Sequence, residues 1–223
     1  VVNEVNFGEV TEQHDKIIIT GSGLSINNFF QPDDSWKVIS VNNSVNHPNV
    51  SADYWFTLDL SLDNQKIAQK RSDYKKYVAI PGNIKQEPRL RTKTIEKFIY
   101  RGCNFLERIS SKQNCFSQTY GLQTEPNKIS TGNSLYGALN LAYHMNPKYI
   151  LIIGLDGEIY RNKFDGKVCR GTLRHLDNLF STALPNLKEK RIKVYNCNSD
   201  SEVKCFEFAE FNTAINRVDN VLK

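Results

Sequence analysis

The chain has 223 residues, a formal net charge of +5 and five cysteines with no Cys-x-x-Cys pair. That length carries one α/β domain with a real core, or one domain with a small insertion. The odd cysteine count argues against a disulfide framework or a structural zinc site, no tract is of low complexity, and no apolar run approaches the roughly 20 residues of a membrane-spanning helix.

Unpaired cysteines suit a reducing compartment. The start, Val1-Val-Asn-Glu4, lacks the pattern of a signal peptide and an initiator Met, so the expectation is a trimmed or processed cytoplasmic protein. Positive charge is concentrated: residues 62–112 hold 13 Lys/Arg against 5 Asp/Glu.

After a polar lead-in, Lys16-Ile-Ile-Ile-Thr20 reads as a buried strand and runs directly into Gly21-Ser-Gly-Leu-Ser25. A strand followed by Gly-x-Gly and a helix start is the geometry of a nucleotide-binding first turn. Glycines let the backbone approach phosphate or ribose, and a helix N-terminus favours negative charge. Trp36–Val41 reads as a second strand ending in Asn42 and Asn43, whose amides suit a base or ribose but are equally at home in turns. Residues 52–59 read as a third strand with Asp59 at its end.

Residues 62–127 read as a basic, mainly helical insertion, with a helix over Ser61–Lys76 and a short strand at Tyr77–Ile80. Its charge run is either a solvated face or a seat for a polyanion, nucleic acid included.

Ser130, Thr131, Gly132, Asn133 and Ser134 then open a helix with small hydroxyl-bearing residues, an anion seat by geometry or an ordinary N-cap. Leu135, Ala138, Leu139, Ala142 and Tyr143 recur at helical spacing, and Asn146-Pro147 ends the helix. Tyr149–Ile153 is a continuous apolar run, as in a parallel strand covered on both faces. Gly154-Leu-Asp156 closes it with a carboxylate at the strand's C-terminal end. Gly21, Asn42, Asp59 and Asp156 are thereby predicted on one rim of a parallel sheet, where open α/β sheets bind ligands.

Residues 157–171 form a glycine-punctuated loop suited to a mobile lid. It leads to His175 and a helix predicted over Leu176–Leu187. Ile192–Tyr195 is the last strand, and Val203–Leu222 an amphipathic closing helix. Of the four histidines, His14 and His47 fall in polar surface stretches, His144 near a helix end, and His175 beside the lid. No Ser–His–Asp or metal-ligand spacing is visible.

The order of Gly21-Ser-Gly-Leu-Ser25, Val38-Ile-Ser-Val-Asn-Asn43, Ala52-Asp-Tyr-Trp-Phe-Thr-Leu-Asp59, Ser130-Thr-Gly-Asn133 and Ile150-Leu-Ile-Ile-Gly-Leu-Asp156 resembles that of two related groups. One is the bacterial sialyltransferases of glycosyltransferase family 42. The other is the domain-of-unknown-function 115 family, which includes flagellin-glycosylating motility-associated factors and an archaeal pterin diphosphokinase. The resemblance covers roughly residues 16–60 and 128–200 and leaves out the basic middle.

The resemblance implies a single nucleotide-binding domain over residues 1–223, with a doubly wound, mostly parallel Rossmann-like sheet. It implies that Gly21, Ser22 and Gly23 lie under the nucleotide of a nucleotide-sugar donor, that Asn42, Ser130, Thr131 and Gly132 contact nucleotide or sugar and that Asp156 marks the active edge; Ser25, Asn43, Asp59 and Asn133, on the same turns and strand ends, complete the expected donor site. By the resemblance His175 would be the general base and Tyr160 would touch the donor phosphate; from their place in the lid loop, Arg161 or Lys163 would add a cation. Ser22 stands where those sialyltransferases carry Asn, and Leu24 where they carry Pro, so the nucleotide and the sugar stay open.

The leading expectation is therefore a glycosyltransferase-like enzyme taking a CMP- or UDP-linked sugar to an acceptor hydroxyl, with no cofactor or metal required. A glycan, lipid or other acceptor is expected, polyanionic acceptors included, and an oligomer or a membrane-surface location is compatible. The alternatives are a diphosphokinase using ATP with Mg²⁺ on carboxylates such as Asp59 and Asp156, and a non-catalytic module binding nucleic acid through residues 62–112.

Overall fold

The computed structural model describes residues 6–82, 102–109, 121–130, 132–156, 160–166, 168–170 and 175–222. Thr131 and the basic residues of 83–101 and 110–120 lie outside the described residues.

The organising element is a nine-stranded sheet, every adjacent pair of which is parallel. Its strands in chain order are β1 (Lys16–Thr20), β2 (Lys37–Val41), β3 (Tyr54–Thr57), β4 (Lys75–Pro81), β5 (Asn104–Ile109), β6 (Lys128–Ser130), β7 (Tyr149–Ile153), β10 (Lys193–Asn196) and β11 (Glu207–Phe208). Between β7 and β10 a separate antiparallel hairpin is formed by β8 (Tyr160–Asn162) and β9 (Val168–Arg170). The helices are α1 (Leu62–Gln69), α2 (Ser134–His144), α3 (Leu176–Ser181), α4 (Leu184–Glu189) and α5 (Phe211–Val221). None is long and apolar enough to cross a membrane among the described residues.

Strand alternation sorts the core into two faces. Ile17, Ile19, Ile39, Phe56, Tyr77 and Ile152 pack under α2, α3 and α4. Ile18, Val38, Leu151, Ile153 and Tyr195 face α5, and farther along that face Trp55, Val78 and Ile80 meet α1. A parallel strand covered on both sides must be apolar at every position, which is why Ile17, Ile18 and Ile19 are all fully buried. Each such side chain contributes about 2 kcal/mol by leaving water.

The sheet order is β11-β10-β7-β1-β2-β3-β4-β5-β6. The chain steps outward from β1 to β6, returns through α2 to β7 on the other side of β1, and continues to β10. The order therefore reverses between β1 and β7, the place where a crevice opens beyond the carboxyl ends of the strands. Because the neighbours are parallel, the ends of β1, β2, β3 and β7 share that edge, as the rim prediction requires.

Several expectations change. Of the basic stretch 62–127, the described residues hold one eight-residue helix and the two strands β4 and β5, which lie inside the main sheet. In β5 the burial alternates through Leu106 and Arg108, so charge on a half-buried strand resembled a polar helix. Gly21–Ser25 opens a single 3-10 turn (Leu24–Asn28), not an α-helix, so little dipole gathers there. The helix predicted over Leu176–Leu187 is two short helices, with Pro185 in the first turn of the second. The closing helix starts only at Phe211, because Glu207 and Phe208 pair with β10.

Candidate functional site

At the switch point the loops after β1 and β7 cross in direct contact. Gly21 N–H donates to Ile153 O (2.7 Å) and Gly23 N–H to Gly154 O (3.1 Å). A Cβ on Gly21 would lie 2.5 Å from Gly154 O, and one on Gly23 would lie 2.5 Å from Asp156 Oδ2. The Gly-x-Gly signature is thus required by chain approaching chain. These two N–H groups serve the protein and are not a bare phosphate cradle.

Asp156 lies under this crossing, 4% exposed. Its carboxylate accepts from Ser25 Oγ (2.5 Å), Ser25 N (3.3 Å) and Asn198 Nδ2 (2.9 Å). Ser25 Oγ in turn accepts from Gly154 N (2.9 Å). Asp156 and Ser25 therefore stitch the β1, β7 and β10 loops together. A buried carboxylate is stable when donors surround it in this way. Among the described residues no group of three or more His, Cys, Asp or Glu has the arrangement of a metal site.

The end of β2 is built differently. Under it the hydroxyls of Thr20, Ser40 and Ser44 form a fully buried cluster at 3.0 and 3.1 Å, and Ser44 Oγ also accepts from Val41 N and donates to Thr20 O. This pins the 3-10 turn Asn42–Asn46. Asn42 takes the left-handed conformation (φ 53°), which Asn tolerates better than most residues. Trp55 Nε1 donates to its carbonyl (2.9 Å), while Thr57 Oγ1 (2.7 Å) and Asn64 Nδ2 (3.2 Å) donate to its Oδ1. Both contacts fall on Oδ1, although Thr57 Oγ1 and Asn64 Nδ2 also reach Asp59 O, and the Asn42 NH₂ is left without a protein acceptor among the described residues. The Ser22 hydroxyl has none either. Asp59 brackets the same network through its backbone, accepting from Asn64 Nδ2 (2.7 Å).

The start of α2 adjoins this edge, since Leu135 Cδ1 would meet a Cβ on Gly21 at 2.8 Å. Asn133 Oδ1 accepts from the N–H groups of Leu135 (2.8 Å) and Tyr136 (3.4 Å), so Asn133 is the helix cap. Ser130 is fully buried, donating from Oγ to Gly121 O (2.7 Å) and from N to Asn140 Oδ1 (3.0 Å). Of this predicted anion seat, Ser130 and Asn133 thus serve the fold, and Gly132 is packed against Leu179 of α3.

The tip of the β8–β9 hairpin, Lys163–Gly166, lies across the first loop. Lys163 bridges Gly23, and Phe164 N donates to Ser22 O (3.3 Å). Asn43 Nδ2 donates to Asp165 Oδ2 (2.8 Å). The Phe164 ring meets His47 edge-on at 5.1 Å. His47, expected on a polar surface, is only 5% exposed. Its Nδ1 accepts from Asn49 N and its Nε2 donates to Asn27 Oδ1 (both 3.3 Å), a neutral ring whose titration burial pushes down. No signal in the sequence distinguished it from a surface histidine. Tyr160 and Arg161 open β8 in this hairpin.

His175 is exposed at the start of α3, one turn before Leu179, the residue against Gly132. Its helix is anchored by Asp177, whose Oδ1 accepts from Lys204 N (2.6 Å) and Cys205 N (2.8 Å). The other histidines serve the fold: His14 Nε2 bonds Tyr54 Oη (2.6 Å) and His144 Nε2 bonds Lys128 O (2.7 Å). Three groups missed from sequence, Thr57, Asn64 and Asn198, hold the predicted residues in place.

No family model and no curated protein matches the chain. Among solved structures it is similar to the sialyltransferase CstII from Campylobacter jejuni in complex with the substrate analogue cytidine-5'-monophosphate, at 13% identity and TM-score 0.48 over 91% of this chain and 88% of that one. The complex of the same enzyme with CMP-3FNeuAc aligns at 14% identity and TM-score 0.46, covering 87% and 85%. An apo alpha-2,3-sialyltransferase from Campylobacter jejuni aligns at 11% identity and TM-score 0.45, covering 99% and 98%.

Proposed function

We propose that the chain is a glycosyltransferase-like enzyme that moves a sugar from a nucleotide-sugar donor to an acceptor hydroxyl. The observation that carries the reading is Asn42. Its Oδ1 accepts from Thr57 and Asn64 at the carboxyl edge, and among the described residues neither its NH₂ nor the Ser22 hydroxyl, on the loop after the neighbouring strand β1, has a protein partner. Fixed donors without protein acceptors suit a ligand rich in acceptors, such as the carbonyl edge of a base, a ribose or a sugar. The motif order that resembles family 42 sialyltransferases supports the same substrate class.

In this reading the acceptor oxygen forms its bond to the anomeric carbon as the bond to the donor phosphate breaks, and the electron pair leaves with the phosphate. His175 takes the acceptor proton as general base, with a ring nitrogen as the accepting atom. Lys163, beside Gly23, offers positive charge to the leaving phosphate, with Tyr160 and Arg161 on the same hairpin. Those groups are the proposed electrostatic support, and no metal is required.

The test is a thermal-shift panel of CMP, UDP, GDP, ADP and ATP, each with and without Mg²⁺. A nucleotide at about 100 times its Kd stabilises by about 2.7 kcal/mol. A shift with CMP or UDP in the absence of metal is expected and selects the donor. A shift only with Mg-ATP would replace this reading with phosphoryl transfer, and no shift at all would overturn it. With the donor known, His175→Ala should reduce transfer at least about 100-fold, and full activity would remove His175 from the mechanism.

A further inference from the structure

The Asn42 amide meets two side chains, and they constrain it differently. The Thr57 hydroxyl lies 2.7 Å from Oδ1 and can donate or accept, so it would serve either end of the amide. Asn64 Nδ2 lies 3.2 Å from the same atom and can only donate. Turning the Asn42 amide over would set its NH₂ against the Asn64 NH₂, donor against donor.

The orientation of Asn64 is itself fixed. Its Nδ2 lies 2.7 Å from the backbone carbonyl of Asp59 and 3.1 Å from Thr57 Oγ1. A carbonyl oxygen only accepts, so the nitrogen end of Asn64 must point into the cluster. Asn64 is 3% exposed, which keeps water from competing for these bonds. Protons and acceptors then match: Asn64 brings two protons and Thr57 one, and Asp59 O, Thr57 Oγ1 and Asn42 Oδ1 receive them. Thr57 Oγ1 also accepts from Asp59 N (3.0 Å). With Asn42 turned over, protons in the cluster would outnumber acceptors, at a cost set by the buried group left unpaired. A backbone carbonyl thus fixes Asn64, and Asn64 fixes which end of the Asn42 amide stays free of the cluster.

Asn64 is carried by α1, which lies in the stretch that the family resemblance leaves out. Ile67 and Ala68 of α1 pack in one cluster with Trp55 and Val78 of the sheet. Trp55 Nε1 in turn holds the Asn42 carbonyl (2.9 Å). At the far end of α1 the buried Lys76 donates from Nζ to Ala68 O (2.9 Å) and to Lys70 O. The helix is therefore anchored at both ends, and the position of Asn64 is set by the sheet.

We infer that Asn64 is a positioning residue of the proposed nucleotide site. It sets the end of the Asn42 amide that is offered to a ligand, so the site selects a nucleotide atom that accepts a hydrogen bond. The ligand role rests on the transferase reading; the orientation rests on the hydrogen bonds alone.

The test uses the full chain. Titration calorimetry measures Kd for whichever of CMP and UDP shifts melting, in the wild type, Asn64→Ala, Asn42→Asp and the double variant. Asn64→Ala should raise Kd about threefold or more. A carboxylate at position 42 has equivalent oxygens and no orientation to set, so in the Asn42→Asp background the same change should move Kd less than about twofold. A role confined to the fold would weaken binding equally in both backgrounds. Side-chain amide exchange, read by ¹⁵N NMR on the nucleotide-free wild type, decides without any variant: the Asn64 NH₂ should be protected, and the Asn42 NH₂ should exchange freely until nucleotide is added. The inference is overturned by an unchanged Kd in Asn64→Ala, by equal losses in the two backgrounds, or by a protected Asn42 NH₂ before nucleotide is added. If neither nucleotide binds the wild type, the transferase reading falls and takes the ligand role of Asn64 with it, and the exchange pattern then decides the orientation alone.

Discussion

Four glycine-to-alanine substitutions separate what the Gly-x-Gly loop does for the fold from anything it does for a ligand. At Gly154 two penalties coincide: φ is +80°, and a Cβ would lie 2.5 Å from the carbonyl carbon of Gly21. The left-handed conformation costs an alanine about 1–2 kcal/mol, and forced overpacking costs about 1–3 kcal/mol more. For a chain of this length each kcal/mol moves melting by about 2–4 °C, so Gly154→Ala should melt about 5–15 °C below the wild type. Gly23→Ala isolates the collision, because φ is −68° there while the new Cβ meets the Asp156 carboxylate and Gly154 O. Gly166→Ala isolates the backbone penalty, with φ +76° and nothing within 4 Å. Gly8→Ala carries neither and should change melting by less than about 2 °C. The assay is thermal unfolding by circular dichroism with no nucleotide present. If Gly154→Ala and Gly23→Ala melted like Gly8→Ala, the loops would not cross as described and the glycines would have to be explained by a ligand.

Four further outcomes follow from the same geometry. Asn42→Asp keeps an acceptor for Thr57 and Asn64 and removes the NH₂, so melting should hold within about 1 kcal/mol while the Kd for the selected nucleotide rises about tenfold or more; unchanged affinity by titration calorimetry would take Asn42 out of the site. Asn133→Ala removes the α2 cap and should cost about 1 kcal/mol in a denaturant titration, equally with and without nucleotide. Ser25→Ala strips a donor from Asp156 and an acceptor from Gly154 N, which predicts a loss of about 1–3 kcal/mol; a neutral result would refute its stitching role. Burial lowers the titration of His14, His47 and His144 below the ordinary 6.5. The folded state therefore prefers neutral rings, the unfolded chain binds protons first, and stability is full above about pH 6.5 and declines as pH falls toward 5. A melting profile flat over that interval would contradict the neutral rings.

What could be read from the sequence follows from where burial leaves a mark. β1, β2, β3, β4, β7 and β10 lie inside the sheet, and their apolar runs announced them. β6 and β11 are its edges, with three and two residues, and short polar segments such as Lys128-Ile-Ser130 look like turns until a neighbour pairs with them. β5 was hidden by Glu107 and Arg108, whose charges outweighed the alternation. The rim residues Gly21, Asn42, Asp59 and Asp156 were placed correctly because each ends or follows a legible strand. Their hydrogen bonds were not legible, since Ser25, Asn198, Thr57 and Asn64 come from distant parts of the chain. His47 shows the same limit: its partners Asn27 and Phe164 lie 20 residues before it and more than 100 after it.

Hydrogen-bond capacity divides the carboxyl edge into two kinds of residue. Along the β1–β7 seam the polar groups satisfy one another: Gly21 N, Gly23 N, Ser25 and the Asp156 carboxylate each have protein partners. A ligand seated on the seam would have to break those bonds, and each buried group left unpaired costs about 1–3 kcal/mol. At the end of β2 the arrangement is the opposite, because the network under Asn42 satisfies its Oδ1 and carbonyl and leaves the NH₂ available. The seam is therefore the rigid floor. The polar groups left without a protein partner among the described residues, the Asn42 NH₂ and the Ser22 hydroxyl, lie beside it.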